Sequence, residues 1–127
     1  MKWMFTCALA VVLLIVGCGK NGADAAKIAE ANKTIAAGEF EKGIAQLDAL
    51  GKEAPADTSV THARADSYMK YATFLMYESP LPPKQKYSTA LKMYRAAVKL
   101  DPANDVAKKN IAIIEGIYQQ MGRPIPD

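Results

Sequence analysis

The chain has 127 residues, 50% of them hydrophobic, and its 16 Lys and Arg residues exceed its 13 Asp and Glu residues by only three. That length bounds the chain to one modest domain. The near balance of charge excludes the strong basic patch that nucleic-acid binding requires, so no nucleic-acid partner is expected.

The N-terminal segment has the pattern of a secretory signal peptide. Lys2 gives it a positive charge, and residues 3–16 are apolar almost without interruption. As a helix, these 14 residues would rise only about 21 Å, short of the roughly 30 Å hydrocarbon core of a bilayer. We therefore interpret the segment as a cleaved leader rather than as a permanent membrane span.

The apolar run ends in Ile15, Val16, Gly17 and Cys18, and this motif resembles the lipobox of bacterial lipoproteins. The resemblance implies cleavage between Gly17 and Cys18, which makes residues 1–17 the signal peptide. It also implies a diacylglyceryl group on the sulfur of Cys18 and an acyl chain such as palmitate on the freed amine. In that family Gly19 permits sorting to the outer membrane, where the protein would face the periplasm. The alternative is a chance Gly-Cys pair after an uncleaved leader.

A mature chain that begins at Cys18 would contain no disulfide. Cys7 leaves with the leader, and Cys18 would carry the lipid, so no cysteine pair remains. Fifteen basic residues then face 13 acidic ones, which is still close to balance. Residues 18–23 are predicted to form a short flexible tether. The stability of the domain that follows must come from packing.

Helical periodicity continues over residues 24–122, and no segment alternates with period two, so the sequence predicts an all-α domain. The first helix follows Asp24 as a cap and ends at Gly38, with Ile28, Ala31 and Ile35 on its apolar face. The second starts near Glu39 and is stopped by Pro55. Its predicted buried stripe consists of Phe40, Ile44, Leu47 and Leu50.

Three further helices are predicted. The third starts at a cap among residues 57–59 and runs to about Glu78, where the proline-rich segment 79–83 breaks it. The fourth has the clearest periodicity and ends at Asp101 and Pro102. Asn104 caps the fifth, and Gly122 closes it before a short irregular tail, residues 123–127. Its apolar stripe is Val106, Asn110, Ile113, Ile117 and Met121, with Ile111, Ile114 and Tyr118 beside it.

The second and fourth helices share a pattern in which an aromatic residue precedes a closing proline by 15 residues, from Phe40 to Pro55 and from Tyr87 to Pro102. The pattern resembles the second helix of a tetratricopeptide repeat, with two degenerate repeats and a capping fifth helix. The repeat spacing of 47 residues exceeds the usual 34 or so because of segment 79–83 and the long third helix. An unrelated helical bundle is the alternative. The resemblance implies repeat-packing roles for Phe40, Gly43, Leu47, Pro55, Tyr87, Ala90, Tyr94, Ala97 and Pro102.

The sequence contains no recognisable catalytic pattern, and we expect neither an enzyme nor a bound metal or cofactor. His62 is the only histidine, and no Gly-x-Ser-x-Gly or phosphate-binding loop is present. The candidate binding surface is aromatic and lies on the third helix, at Tyr68, Tyr71, Phe74 and Tyr77. These residues either pack in the core or line a groove for a peptide.

We therefore expect a lipid-anchored, non-catalytic adaptor or assembly factor of the bacterial cell envelope that binds another envelope protein. The alternative is a structural envelope lipoprotein without a groove. We also expect that the chain can self-associate, since two repeats are close to the lower limit for independent stability. A third hypothesis, a soluble secreted enzyme, requires that the chain is not held at a membrane.

Overall fold

A computed structural model describes residues 25–127. This part of the chain is all-α, with five helices and no strand: α1 Ala25–Ala36, α2 Phe40–Glu53, α3 Thr58–Tyr77, α4 Pro83–Leu100 and α5 Asp105–Gln120. The predictions for the signal peptide, for Gly17 and Cys18, for the tether and for the Asp24 cap lie outside the described residues. None of the helices in 25–127 is long and apolar enough to span a bilayer.

The helix ends follow the local rules that the sequence indicates. Asp57 caps α3, since its carboxylate accepts hydrogen bonds from the amides of Ser59 at 2.8 Å and Val60 at 3.2 Å. Asn104 caps α5 by accepting a hydrogen bond from the amide of Ala107 at 2.9 Å. Gly38 and Gly122 have φ of +86° and +62°, and each closes the helix before it with a Schellman motif.

The helices pack largely in chain order. α1 packs against α2, α3 packs against both α1 and α2, α4 packs against α3, and α5 packs against α4. Gly43 lies where α1 and α2 approach most closely: a Cβ atom added there would lie 2.9 Å from the carbonyl oxygen of Ala31 and would overlap the side chain of Ile35. Helices that are neighbours in the chain and have short connections therefore form the body of the domain, and α5 packs against α4.

The hydrophobic core consists of clusters that join helices adjacent in the chain. One cluster joins α1, α2 and the start of α3, and a larger one joins the end of α3 to α4 and α5. Ile44, Tyr68 and Ala97 form a third cluster that connects α2, α3 and α4. Five of the nine residues assigned to repeat packing are buried, namely Gly43, Leu47, Ala90, Tyr94 and Ala97. Phe40 and Tyr87 are half-buried, and Pro55 and Pro102 are exposed just beyond the helices that they follow.

α5 carries two adjacent apolar rows, and only one of them faces the core. Ala107, Ile114 and Tyr118 are buried, with Ile111 packed against them. The row that the periodicity singles out is the outer one, because its members Val106, Ile113 and Met121 are 62%, 42% and 51% exposed. The two rows are offset by one residue, which is about 100° around a helix, and the sequence alone does not fix which row meets α4.

The tail after α5 folds back onto α4. Nη1 of Arg95 donates a hydrogen bond to the carbonyl oxygen of Pro126 at 2.7 Å, and Nη2 donates to the carboxylate of Glu115 at 3.0 Å. Ile125 is half-buried against the larger core cluster. Arg95 therefore fixes the last residues beside the α4–α5 contact.

Candidate functional site

The four aromatic residues that the sequence singles out on α3 lie in different environments. Tyr68 is 7% exposed and belongs to the core, where its hydroxyl contacts Asp48. Tyr71 and Phe74 are half-buried. Tyr77, at the last turn of α3, is 65% exposed. Core and surface roles are thus divided along this helix, with Tyr68 inside and Tyr77 outside.

Tyr71 and Phe74 do come together, on the ring of Phe40 at the start of α2. The Phe40 centroid lies 5.1 Å from that of Tyr71, with 13° between the ring planes, and 5.0 Å from that of Phe74, with 28°. The hydroxyl of Tyr71 also donates a hydrogen bond to the carboxylate of Glu41 at 3.0 Å. Stacked rings of this kind add attraction beyond their buried area, and they hold α2 against α3. We call Phe40, Tyr71 and Phe74 the aromatic stack.

An open groove of about 490 Å³ lies between α1 and α3, on one side of the aromatic stack. We call it the α1–α3 groove. Its apolar lining combines residues from three helices: Ile35, Ala36, Phe40, Met69 and Phe74. Its polar lining consists of Asn32, Lys70, Thr73 and Glu78. A second cavity, of about 440 Å³, adjoins the stack and is lined by Tyr71, Phe40, Phe74 and residues 38–42.

The polar groups around the groove are suited to hydrogen bonding and to weak charge contacts. Lys70 is already paired, since its ammonium lies 2.7 Å from the carboxylate of Asp66 one turn earlier. Thr73 shares a hydrogen bond of 3.2 Å with the hydroxyl of Tyr94. Glu78 caps the end of α3 and takes part in no ion pair with a described residue. A lining that combines apolar side chains with hydrogen-bonding groups is common at binding surfaces.

The tyrosines near the site are held in their neutral form. Burial is the first cause that raises the pKa of Tyr68 and of Tyr71, and the hydrogen bonds to Asp48 and Glu41 raise these values further. Burial also raises the pKa of Tyr94, against a lowering by the Thr73 hydrogen bond. A phenol with a raised pKa is a poor nucleophile or base near neutral pH. These groups therefore contribute shape and hydrogen bonds to the site.

No other arrangement of reactive groups stands out in residues 25–127. His62 is exposed on the first half of α3. Within the described range, no three His, Cys, Asp or Glu side chains are placed so that they could hold a metal ion together. No protein-family model, curated protein or solved structure matches this chain.

The sequence pattern does not indicate two parts of the groove. Phe40 is assigned there to repeat packing, but it also lines both the α1–α3 groove and the second cavity. The α1 wall, formed by Asn32, Ile35 and Ala36, gives no signal in the sequence because α1 has a thin, alanine-rich apolar face. Only the packing of the helices shows that the end of α1 lies opposite the aromatic half of α3.

Proposed function

We propose that this chain is a lipid-anchored, non-catalytic adaptor of the bacterial cell envelope, and that it binds a segment of another envelope protein in the α1–α3 groove. The observation that carries the binding role is the groove itself, a cleft with a mixed apolar and polar lining that adjoins the aromatic stack. The anchoring role depends on the lipobox-like motif that ends at Cys18.

The anchor follows from the chemistry of Cys18. A thiol can take a diacylglyceryl group as a stable thioether, and each buried methylene contributes roughly 0.8 kcal/mol of membrane affinity. Two or three chains therefore hold a protein durably where one does not. With Gly19 next, the outer membrane is the proposed destination, with the domain in the periplasm.

Metabolic labelling with a radioactive or alkyne-bearing fatty acid tests the anchor. The wild-type protein should incorporate the label and sediment with membranes, whereas Cys18→Ser should lose the label and keep its leader. Cys7→Ser is the matched control, because Cys7 lies within the leader and should not affect labelling. Unlabelled wild-type protein would refute the lipoprotein part of the proposal.

The two helix pairs support a tetratricopeptide-like interpretation of the domain. Gly43 lies at the close contact of α1 and α2, as a small residue does where such helices cross. Ala90, Tyr94 and Ala97 are all 0% exposed on α4, as the repeat pattern requires of its packing positions. The open groove between α1 and α3 lies where the first helices of consecutive pairs adjoin. Repeat proteins of this kind bind extended or helical segments on such surfaces.

The dimensions of the groove suit a short peptide. Its volume of about 490 Å³ lies within the roughly 300–1,000 Å³ of small-molecule pockets, which leaves room for one or two side chains of a peptide. Met69 on its lining can adapt to several apolar side chains. We therefore expect the bound segment to insert one or two apolar side chains against Met69 and Phe74, and to place its polar groups at the rim.

Site-specific photocrosslinking in cells tests the groove. A photoreactive amino acid at Thr73, which is exposed on the groove lining, should give a specific crosslinked band. The matched control is Ala45, which is exposed on α2 and lines none of the cavities described above. A band at Thr73 that disappears in a Met69→Glu background, with helicity unchanged, would support the adaptor. The adaptor proposal fails if the anchored protein gives no band at Thr73 or gives equal bands at both positions. The alternative, a structural lipoprotein without a peptide-binding groove, then takes its place.

A further inference from the structure

α4 is the only described helix that carries cations and no acid. Its 18 residues include Lys84, Lys86, Lys92, Arg95 and Lys99, and neither Asp nor Glu. Lys84, Lys92 and Lys99 are exposed. Spacings of eight and seven residues place these three within an arc of about 80° on the helix surface, along about 22 Å of its length. We call them the lysine stripe.

The lysine stripe is unpaired in the described part of the chain. On α2, α3 and α5, three lysines pair with acids one turn away, as Lys42–Glu39, Lys70–Asp66 and Lys108–Asp105, whereas Lys52 and Lys109 have no ion pair with a described residue. Such pairs are the ordinary way to solvate a helix surface. No residue of the stripe has an ion pair, and Arg95, which lies on the same side of α4, is held by Glu115 and Pro126. α4 differs from the other described helices in that it carries no acid.

The near balance of charge in the whole chain conceals a separation between its halves. Residues 25–79 carry six Lys and Arg residues against eight Asp and Glu residues, and residues 80–127 carry eight against four. The acids of the second half that lie near α4 are few. Asp101 follows the end of the helix and accepts a hydrogen bond from the amide of Ala103, Glu115 is paired with Arg95, and Asp127 follows Pro126. Residues 25–79 therefore carry a net charge of −2, and residues 80–127 carry a net charge of +4.

We propose that the lysine stripe lies on the anionic phospholipid headgroups of the membrane that holds the anchor. This inference rests on the proposed function, because the lipid on Cys18 brings the domain to that surface. Only six residues lie between Cys18 and Ala25, and the seven Cα–Cα steps span at most about 25 Å. The domain is thus kept within about its own diameter of the bilayer. An unpaired row of lysines and a negative lipid surface are complementary at that distance.

Contact through α4 would use no residue of the groove lining. The α1–α3 groove is lined by residues of α1, α2 and α3 and by the residue that follows α3, and none of its lining residues belongs to α4. A domain that rests on α4 can therefore present the groove away from the headgroups. The lysine stripe would then give the lipid-anchored domain a defined orientation toward partners.

Flotation with lipid vesicles tests the proposal without the lipid anchor. The mature chain with Cys18→Ser is mixed with vesicles of phosphatidylcholine alone or with about one-third phosphatidylglycerol, at low and high salt. Binding is expected only to the vesicles that contain phosphatidylglycerol, and high salt should abolish it. Each Lys→Gln change in the stripe should weaken partitioning about fivefold, and the triple variant Lys84→Gln, Lys92→Gln, Lys99→Gln by about a hundredfold.

The matched control removes the same charge from the other half of the domain, by Lys33→Gln, Lys42→Gln and Lys52→Gln, all at exposed positions. This control triple should bind nearly as the parent does, and both triples should keep the parent's helicity. Equal loss in the two triples, or equal binding to both kinds of vesicle, would overturn the proposal. Tighter binding to duplex DNA or RNA than to the anionic vesicles at the same salt would also overturn it. Fatty-acid labelling of Cys18 is independent of all these results, so the two proposals fail separately.

Discussion

The hydroxyl of Tyr68 donates a hydrogen bond of 2.5 Å to Oδ1 of Asp48 and so connects α3 with α2. The same oxygen accepts a hydrogen bond of 2.8 Å from Nε of Arg64. Room for the guanidinium comes from Gly51, where an added Cβ atom would lie 2.8 Å from Nη1. These groups hold the two helices together at a point where the phenol ring is buried and the carboxylate is neutralised by a cation.

Replacement of Tyr68 by phenylalanine should lower the free energy of unfolding by about 1–2 kcal/mol, because a hydrogen bond to a carboxylate is lost while the ring still fills its site. Urea denaturation followed by circular dichroism measures this change. Tyr77→Phe is the matched control: with its ring 65% exposed, it should change stability by less than about 0.5 kcal/mol. Similar losses in both variants would show that the Asp48 contact contributes nothing specific.

The domain should lose stability in alkaline solution. Burial raises the pKa of Tyr68, Tyr71 and Tyr94 above the ordinary value of 10.0. Above pH 10 the unfolded chain therefore releases these protons first, so the folded state binds more protons and stability falls as pH rises. Below pH 10 the contribution is fully present. Urea midpoints measured across this range should decline above pH 10, and more gently in Tyr68→Phe; a flat or rising profile would contradict the assignment.

Two glycines within helices should respond oppositely to alanine. Gly43→Ala forces a Cβ atom against α1, so the free energy of unfolding should fall by about 1–3 kcal/mol despite alanine's better helix propensity. At Gly116 the added Cβ atom has nothing within 4 Å, and the same change should stabilise α5 by up to about 1 kcal/mol. Thermal unfolding of the two variants side by side measures both effects. Stabilisation at position 43 would disprove the close approach of α1 and α2.

The C-terminal residues should become mobile when Arg95 is replaced by methionine, because the hydrogen bonds to Pro126 and Glu115 are lost while most of the stem is kept. Heteronuclear NOE values of the Ile125 and Asp127 amides should fall toward those of a flexible chain. Lys92→Met removes a charge from the same helix without touching the tail, and it should leave these values unchanged. Persistent order at Ile125 in Arg95→Met would assign its position to apolar packing alone.

The fold class and the helix ends could be predicted because they depend on local signals. The all-α class is confirmed, and Asp57, Asn104, Gly38 and Gly122 act at their helix ends through bonds that span only a few residues. The repeat-packing role of Gly43 stays a prediction, although an added Cβ atom there would meet α1.

Features that depend on which helix meets which could not be predicted. α5 has two apolar rows, and the outer one, with Val106 and Met121, has the more regular spacing. α3 is apolar around most of its circumference, so its periodicity could not separate buried Tyr68 from exposed Tyr77. The ring of Phe40 contacts Tyr71 and Phe74, which lie more than 30 residues later in the sequence. The separation of charge between the two halves of the chain is hidden when charge is counted over the whole sequence.

The packing of helices in chain order has a consequence for the speed of folding. Nearly every interhelical contact joins elements that are neighbours in sequence, so the loops that must close are short. Helical domains of this kind acquire their structure in microseconds to milliseconds. A polypeptide that crosses a membrane unfolded would therefore reach its native state soon after arrival. It would spend little time as an aggregation-prone chain.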